Sequence, residues 1–331
     1  MTTLLLLLAC QQDYELYGDK ANAGSYNPPD PPVKEQVDAI TQVTIPAVDV
    51  LWVIDNSCSM AEEQTALRDN FDDFMKYFTD SGLDYHVGVV STDMDNRNER
   101  GKLILDNGSD RYIDSSYDRA DAVASFRQRA ALGTNGSSDE RGKDAAYTAL
   151  TTEKDRTNVG FYRDDASLSI ITISDEIDYS QVTTTEFVNF LTGLKAGTDN
   201  VVTYSSIVGL TNNDCSTAER GTGYLEVTRQ VGGIEWSICT SDWAGLLEEL
   251  GLQAAGLKRE FYLSLAPVED SIKVKVKGDD TYDPGSDTWT YDPARNSVKF
   301  DAYIPAPLSV VEVTYLPLAT AAEDAGEEVT E

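Results

Sequence analysis

The chain has 331 residues, which at about 100–200 residues per domain suggests one large domain and a smaller one. Hydrophobic residues make up 41% and charged residues 25%, a globular and ordered composition. Its 57 acidic residues against 26 Lys and Arg give a net charge of −31, which disfavours nucleic acid and anionic membrane surfaces as partners, because binding either needs clustered cationic side chains. Solubility and cation binding are what such a surface favours. The single histidine, His86, leaves little from which to build a multi-histidine zinc site or a relayed nucleophile. It lies in the apolar run 85–90 and reads as an ordinary strand residue.

At the N-terminus, Leu7-Leu8-Ala9-Cys10 resembles the lipobox of bacterial lipoproteins, whose cysteine becomes the lipidated mature end. The apolar run from Leu4 is shorter than the ~7–15 residues of a signal core and no Lys or Arg precedes it. Residues 1–10 therefore read as a signal peptide clipped by a misplaced start codon, or else as a plain hydrophobic end. Nowhere else does a run approach the ~20 apolar residues that span a bilayer. Residues 11–43 are polar, with Asn27-Pro28-Pro29-Asp30-Pro31-Pro32 in the middle, and are expected to form a disordered tether.

From residue 44 to about 258, short β-branched runs alternate with amphipathic stretches. The runs at 50–54, 86–90, 168–173 and 201–208 fit strands covered on both faces, hence a parallel sheet. Leu67, Phe71, Phe74, Met75 and Phe78 recur at helical spacing, and 139–150, 184–194, 224–231 and 241–251 read as further helices. Alternation of this kind predicts a doubly wound, mostly parallel α/β domain. In the stretch 271–277 apolar residues alternate with lysines, and 297–300 and 309–315 repeat the pattern, so 259–318 reads as a small antiparallel β unit. The acidic tail 319–331 is expected to be disordered.

Cys215 and Cys239 lie in a loop-rich stretch that suits a disulfide formed in an oxidising compartment, while Cys58 is expected to be a small, free, buried thiol.

Directly after the first buried run comes Asp55-Asn56-Ser57-Cys58-Ser59. One carboxylate and two hydroxyls at the carboxyl end of a strand supply hard oxygen donors for Mg²⁺, Mn²⁺ or Ca²⁺ at the edge where open α/β sheets bind ligands. This loop resembles the metal-ion-dependent adhesion site of the von Willebrand factor A domain. The resemblance covers residues 44–258 and includes Ser174-Asp175-Glu176 after the run 170–173. It is closer to tethered bacterial envelope members, through Gly160-Phe161-Tyr162-Arg163-Asp164-Asp165-Ala166 and the late cysteine pair. It implies a divalent cation held by Asp55, Ser57, Ser59, a hydroxyl of a second loop and Asp175. Ser138 is the choice for that hydroxyl, with Thr134 and Glu140 as competitors; a Glu ligand would shift preference toward Ca²⁺. A simpler reading remains beside it: Ser59-Met60-Ala61-Glu62 and Ser137-Ser138-Asp139-Glu140 both fit a capping box and could merely start helices. Asp178 and Ser180 are candidates for a second cation, or for a solvated turn.

The function this implies is an exported, lipid-anchored cell-envelope protein, not an enzyme, that binds a protein or glycan through the cation, with a carboxylate supplied by the partner. Its rivals are an envelope scaffold in which metal only stabilises loops, and a hydrolase, which the lone histidine and the absence of a Gly-x-Ser-x-Gly elbow disfavour.

Overall fold

The computed structural model describes residues 34–42, 47–79, 83–108, 110–198, 200–278, 284–285, 288–301, 304–306 and 308–318. Cys10 with its signal, the tether before residue 34 and the acidic tail lie outside the described residues.

Six strands make the main sheet: β2 (Ala47–Ile54), β3 (Asp84–Ser91), β4 (Ile113–Asp114), β5 (Ser167–Ile173), β6 (Val202–Val208) and β7 (Glu235–Ser237), preceded in the chain by β1 (Gln36–Thr41). Their order is β4-β3-β2-β5-β6-β7, and all pairs are parallel except β3 with β4. Because successive side chains of a strand point to opposite faces, β2 sends Val50, Trp52 and Ile54 one way and Leu51 and Val53 the other. The first set packs with α1 (Ala61–Thr79), α2 (Arg119–Arg129) and α6 (Trp243–Ala254), where Trp52 meets Phe71, Phe74 and Phe126 edge-on. The second packs with α3 (Gly142–Leu150), α4 (Thr184–Leu194) and α5 (Tyr224–Val231). Both faces are thus covered, which is why these strands are uninterrupted apolar runs. The domain is the doubly wound α/β fold that the sequence predicts.

The chain winds outward from β2 to β3 and then returns to β5 on the other side of β2. Strand order reverses there, so the loops leaving β2 and β5 diverge and open a crevice at their carboxyl ends.

The second unit holds β8 (Glu260–Tyr262), β9 (Lys273–Lys277), β10 (Trp289–Asp292), β11 (Ser297–Phe300) and β12 (Val310–Tyr315) in two antiparallel sheets, β1-β12-β9 and β10-β11-β8. In β9 the valines are buried and the lysines exposed, as the alternation predicts. One expectation is corrected. Residues 36–41, read as the end of the tether, are strand β1, paired with β12 from Gln36 opposite Tyr315 to Thr41 opposite Val310. Their composition hides this, because only Ile40 packs on the small core while Asp38 is spent on hydrogen bonds to Ser264 and Tyr315. The antiparallel unit is therefore completed by chain from before the main domain. Gln42 joins the two units, donating to the carbonyls of Lys258 and Pro305 at 2.9 and 3.0 Å.

Candidate metal centre

The crevice between β2 and β5 receives the loop 55–59 from one strand and Ser174-Asp175 from the other. The Asp55 N–H donates to the Ile173 carbonyl at 3.0 Å, which fixes the start of the first loop against the end of β5. Asp55 is fully buried. Its Oδ1 accepts the Ser57 N–H at 2.7 Å and its Oδ2 accepts the Ser174 hydroxyl at 2.6 Å. Ser57 is buried with its Oγ 3.3 Å from Ser59 Oγ, and Ser59, itself exposed, bonds Asp175 through its hydroxyl, so the two serines link the loop to the second aspartate. Asp175 is 3% exposed. Gln64, one turn into α1, donates to the carbonyls of Asp55 and Gly133, both at 2.9 Å, and so draws in the third loop.

That third loop, 133–140, approaches the first so closely that Gly136 has no room for a side chain; a Cβ there would sit 2.4 Å from Asn56 Oδ1. Asp93 and Asp95 hold the loop from behind, accepting from the Ser137 N–H at 3.3 Å and its hydroxyl at 3.0 Å. Its side chains divide sharply. Ser138 is exposed and Thr134 half-buried, and among the described residues no hydrogen bond ties either to Asp55 or Asp175. Glu140 is fully buried, accepts the Thr92 hydroxyl, and lies against Asp55, whose charge acts on it. The Ser137–Glu140 stretch is not a capping box, since α3 starts later, after Arg141, with no side-chain cap.

Asp55 is thus the buried carboxyl common to the centre, acting on Glu140 on one side and on Asp175 on the other. The Oε1 of Glu140 and the Oδ1 of Asp175 are both out of contact with water and find no hydrogen-bond donor. Burial pushes Glu140 up to about 9, with the charge of Asp55 adding to it. Burial likewise lifts Asp175 to about 6, against the hydrogen bond from Ser59. Glu176, half-buried beside them, is raised to about 7 by burial and by Asp55 and Asp175. Oxygens without donors among carboxyls that repel one another are complementary to a cation, and only a proton or a metal ion can lie between them. Among the described residues no group of three His, Cys, Asp or Glu side chains stands preassembled as a metal cage. The donor set is instead carboxyls mixed with hydroxyls, the hard-oxygen chemistry of Mg²⁺ and Ca²⁺.

Around this centre, Cys215 and Cys239 form the expected disulfide, with Cα atoms 5.9 Å apart. The bridged loop also carries Glu219, whose N–H donates to the Asp175 carbonyl at 2.8 Å. Cys58 is free but exposed, against the expectation of a buried thiol. It sits at the exposed tip of the loop, next to the exposed Ser59. Asp178 offers no second cation site, because Lys143 Nζ already sits 3.0 Å from its Oδ2 with both side chains buried. His86 lies well down β3, its Nδ1 2.8 Å from the Phe161 carbonyl and its ring against Tyr112.

No family model matches the chain, and no curated protein matches it. Among solved structures it is similar to a von Willebrand factor type A protein from Catenulispora acidiphila, at 14% identity and TM-score 0.42, over 87% of this chain and 62% of that one. It is also similar to the pilus adhesin SpaC from Lactobacillus rhamnosus GG in its open conformation, at 12% identity and TM-score 0.46, over 89% of this chain and 42% of that one. A third is proximal thread matrix protein 1 from the mussel byssus, solved with a zinc-occupied MIDAS motif, at 12% identity and TM-score 0.38, over 66% of this chain and 48% of that one. The chain spans less than two thirds of the length of each. Strand order, helices on both faces and the loop 55–59 at the strand-order reversal make its α/β domain von Willebrand factor A-like.

Proposed function

We propose that this protein binds a divalent cation through Asp55, Ser57, Ser59, Asp175 and Glu140, and docks a protein partner on the face around it. The observation that carries the reading is the pair of donorless buried oxygens, on Glu140 and Asp175, beside the buried Asp55. Glu140 takes the place that the sequence offered first to Ser138, because it alone of the three candidates is buried against Asp55. A set rich in carboxylates favours Ca²⁺, which accepts more oxygens and looser geometry than Mg²⁺. The cation would neutralise the buried charge, order the three loops and leave a coordination position for a carboxylate of the partner. Binding rather than hydrolysis is supported by the place of the lone histidine, occupied and far down β3 from the carboxyl edge. The disulfide fits an exported protein, and attachment through a lipid on Cys10 belongs to the same proposal.

Calorimetric titration with Ca²⁺, Mg²⁺ and Mn²⁺ tests the reading. Binding heat in the native protein should vanish in Asp55→Ala and in Asp175→Ala, and unchanged heat in both variants would remove the site. A scaffold in which metal only holds loops is favoured by the ties from Gln64 and Glu219. It would show the metal heat while a partner found by cross-linking stays bound in EDTA.

A further inference from the structure

Beside the metal centre, the first turn of α1 and the disulfide enclose a groove of about 340 Å³. Its lining is mostly polar, from Glu62, Glu63, Thr217 and Thr240, with Ile238 and Trp243 buried behind them beside the Cys215–Cys239 bridge. Glu62 and Glu63 form the wall. Oε2 of Glu63 is shielded from water and has no hydrogen-bond donor. The groove belongs to the same face as the centre, since Glu63 acts electrostatically on both Asp55 and Asp175. On another side of the centre stands Glu176, within electrostatic reach of Glu219 and Asp139.

These charges constrain what can dock. A divalent cation among Asp55, Glu140 and Asp175 does not make the face positive, and Glu62, Glu63, Glu176, Glu219 and Asp139 surround it with further carboxylates. A partner offering only a carboxylate would be repelled on approach. A partner that also carries a cation nearby would be attracted. The groove is built for such a group: its carboxylate wall suits a charged head, and the Thr217 and Thr240 hydroxyls offer further acceptors for its N–H donors. We infer that the groove seats a lysine or arginine side chain of the same protein partner whose carboxylate reaches the metal centre. This rests on the cation-dependent docking proposed above.

The test is selection of short random peptides displayed on phage, on immobilised protein in Ca²⁺, with an EDTA wash as the elution step. Metal binding by the native protein and by the double variant Glu62→Gln/Glu63→Gln is first checked by calorimetry, and both should bind. Peptides eluted from the native protein should be enriched in Asp or Glu with Lys or Arg a few positions away, the basic residue by roughly fivefold, the worth of one partly exposed ion pair. On the double variant the acidic residue should persist while the basic enrichment disappears. Enrichment of acid without base, equal basic enrichment on both proteins, or no enrichment on a protein that binds metal would each overturn the groove assignment and leave the metal centre standing. Absence of metal heat in the native protein would instead overturn the docking proposal from which it starts.

Discussion

Strand β2 buries an aspartate near each of its ends, and the two are treated differently. Near the amino end, Asp49 is met by Arg163, whose Nε donates to Oδ1 at 2.8 Å and whose N–H donates to Oδ2 at 2.6 Å. His86 stands 3.6 Å away. Just beyond the carboxyl end, Asp55 is as deeply buried and meets hydroxyls, an amide and another carboxyl. Asp178 with Lys143 and Asp106 with Arg129 follow the first pattern. A buried acid beside its own cation is a finished structure; a group of buried acids without one is complete only when solution supplies the charge. The strand-order reversal explains why that group gathers at the carboxyl edge, where diverging loops leave space for an ion.

The comparison breaks first if the two aspartates respond alike to removal. Asp49→Ala takes away the buried partner of Arg163, leaving it with the exposed Asp84, and should cost about 3 kcal/mol in urea unfolding. In metal-free protein Asp55→Ala removes repulsion as well as hydrogen bonds, and should cost much less or stabilise. Equal losses would mean that Asp55 is a structural acid like Asp49.

The bridge between Cys215 and Cys239 closes a loop whose Glu219 N–H secures the Asp175 backbone. Replacing both cysteines by serine should lower stability by about 3 kcal/mol in the chain-entropy account, as read from the urea midpoint. Metal heat should persist with weakened affinity. Loss of all metal binding would show that the carboxyl edge depends on the covalent clamp more than on the strands.

Proton linkage sharpens the contrast further. Glu140, at about 9, Glu176, at about 7, and Asp175, at about 6, all keep protons in the folded state that the unfolded chain gives up at lower pH. Their contribution to metal-free stability is complete below about pH 4 and is lost as pH climbs toward about 9. Metal binding must release the proton on Glu140. Affinity should therefore rise about tenfold per unit between roughly pH 7 and 9, with one proton released per ion, seen as calorimetric heat that depends on the buffer. A flat profile would exclude Glu140 from the centre.

Much of the framework is legible because burial on both faces writes itself into β2, β3, β5 and β6 as unbroken β-branched runs. Helix α2 left a weaker mark: its buried face is Ala122, Val123, Ser125 and Phe126 among charged neighbours, too small and mixed to stand out. Strands β4 and β7 are too short to show a period. Strand β1 escaped because its partner lies nearly the whole chain away and supplies the pattern it lacks. The loop 55–59 and Asp175 could be placed together from sequence because each directly follows a buried run. The third loop could not, since Thr134, Ser138 and Glu140 all offer oxygen and only tertiary contact decides which one turns inward. The signal that could have found Glu140 is the close approach required by Gly136, which fixes the loop against Asn56 and leaves the residues after it to enter the crevice.

The smallest expected effect tests that third loop. Glu140→Gln keeps an oxygen near the ion but removes a charge, so metal affinity should fall about tenfold, comparable to the loss of one charge-assisted contact. Burial and the charge of Asp55 hold Glu140 up, and the same substitution removes that titration, so metal-free protein should become more stable at alkaline pH and its stability less dependent on pH between about pH 5 and 9. A side chain that merely filled space would lower stability and affinity together; opposite signs require that its charge is held for an ion. Ser138→Ala, on an exposed position, should change neither quantity. If Ser138→Ala weakens metal binding while Glu140→Gln does not, the hydroxyl is the ligand, and the loop must turn by two residues on binding to bring it in.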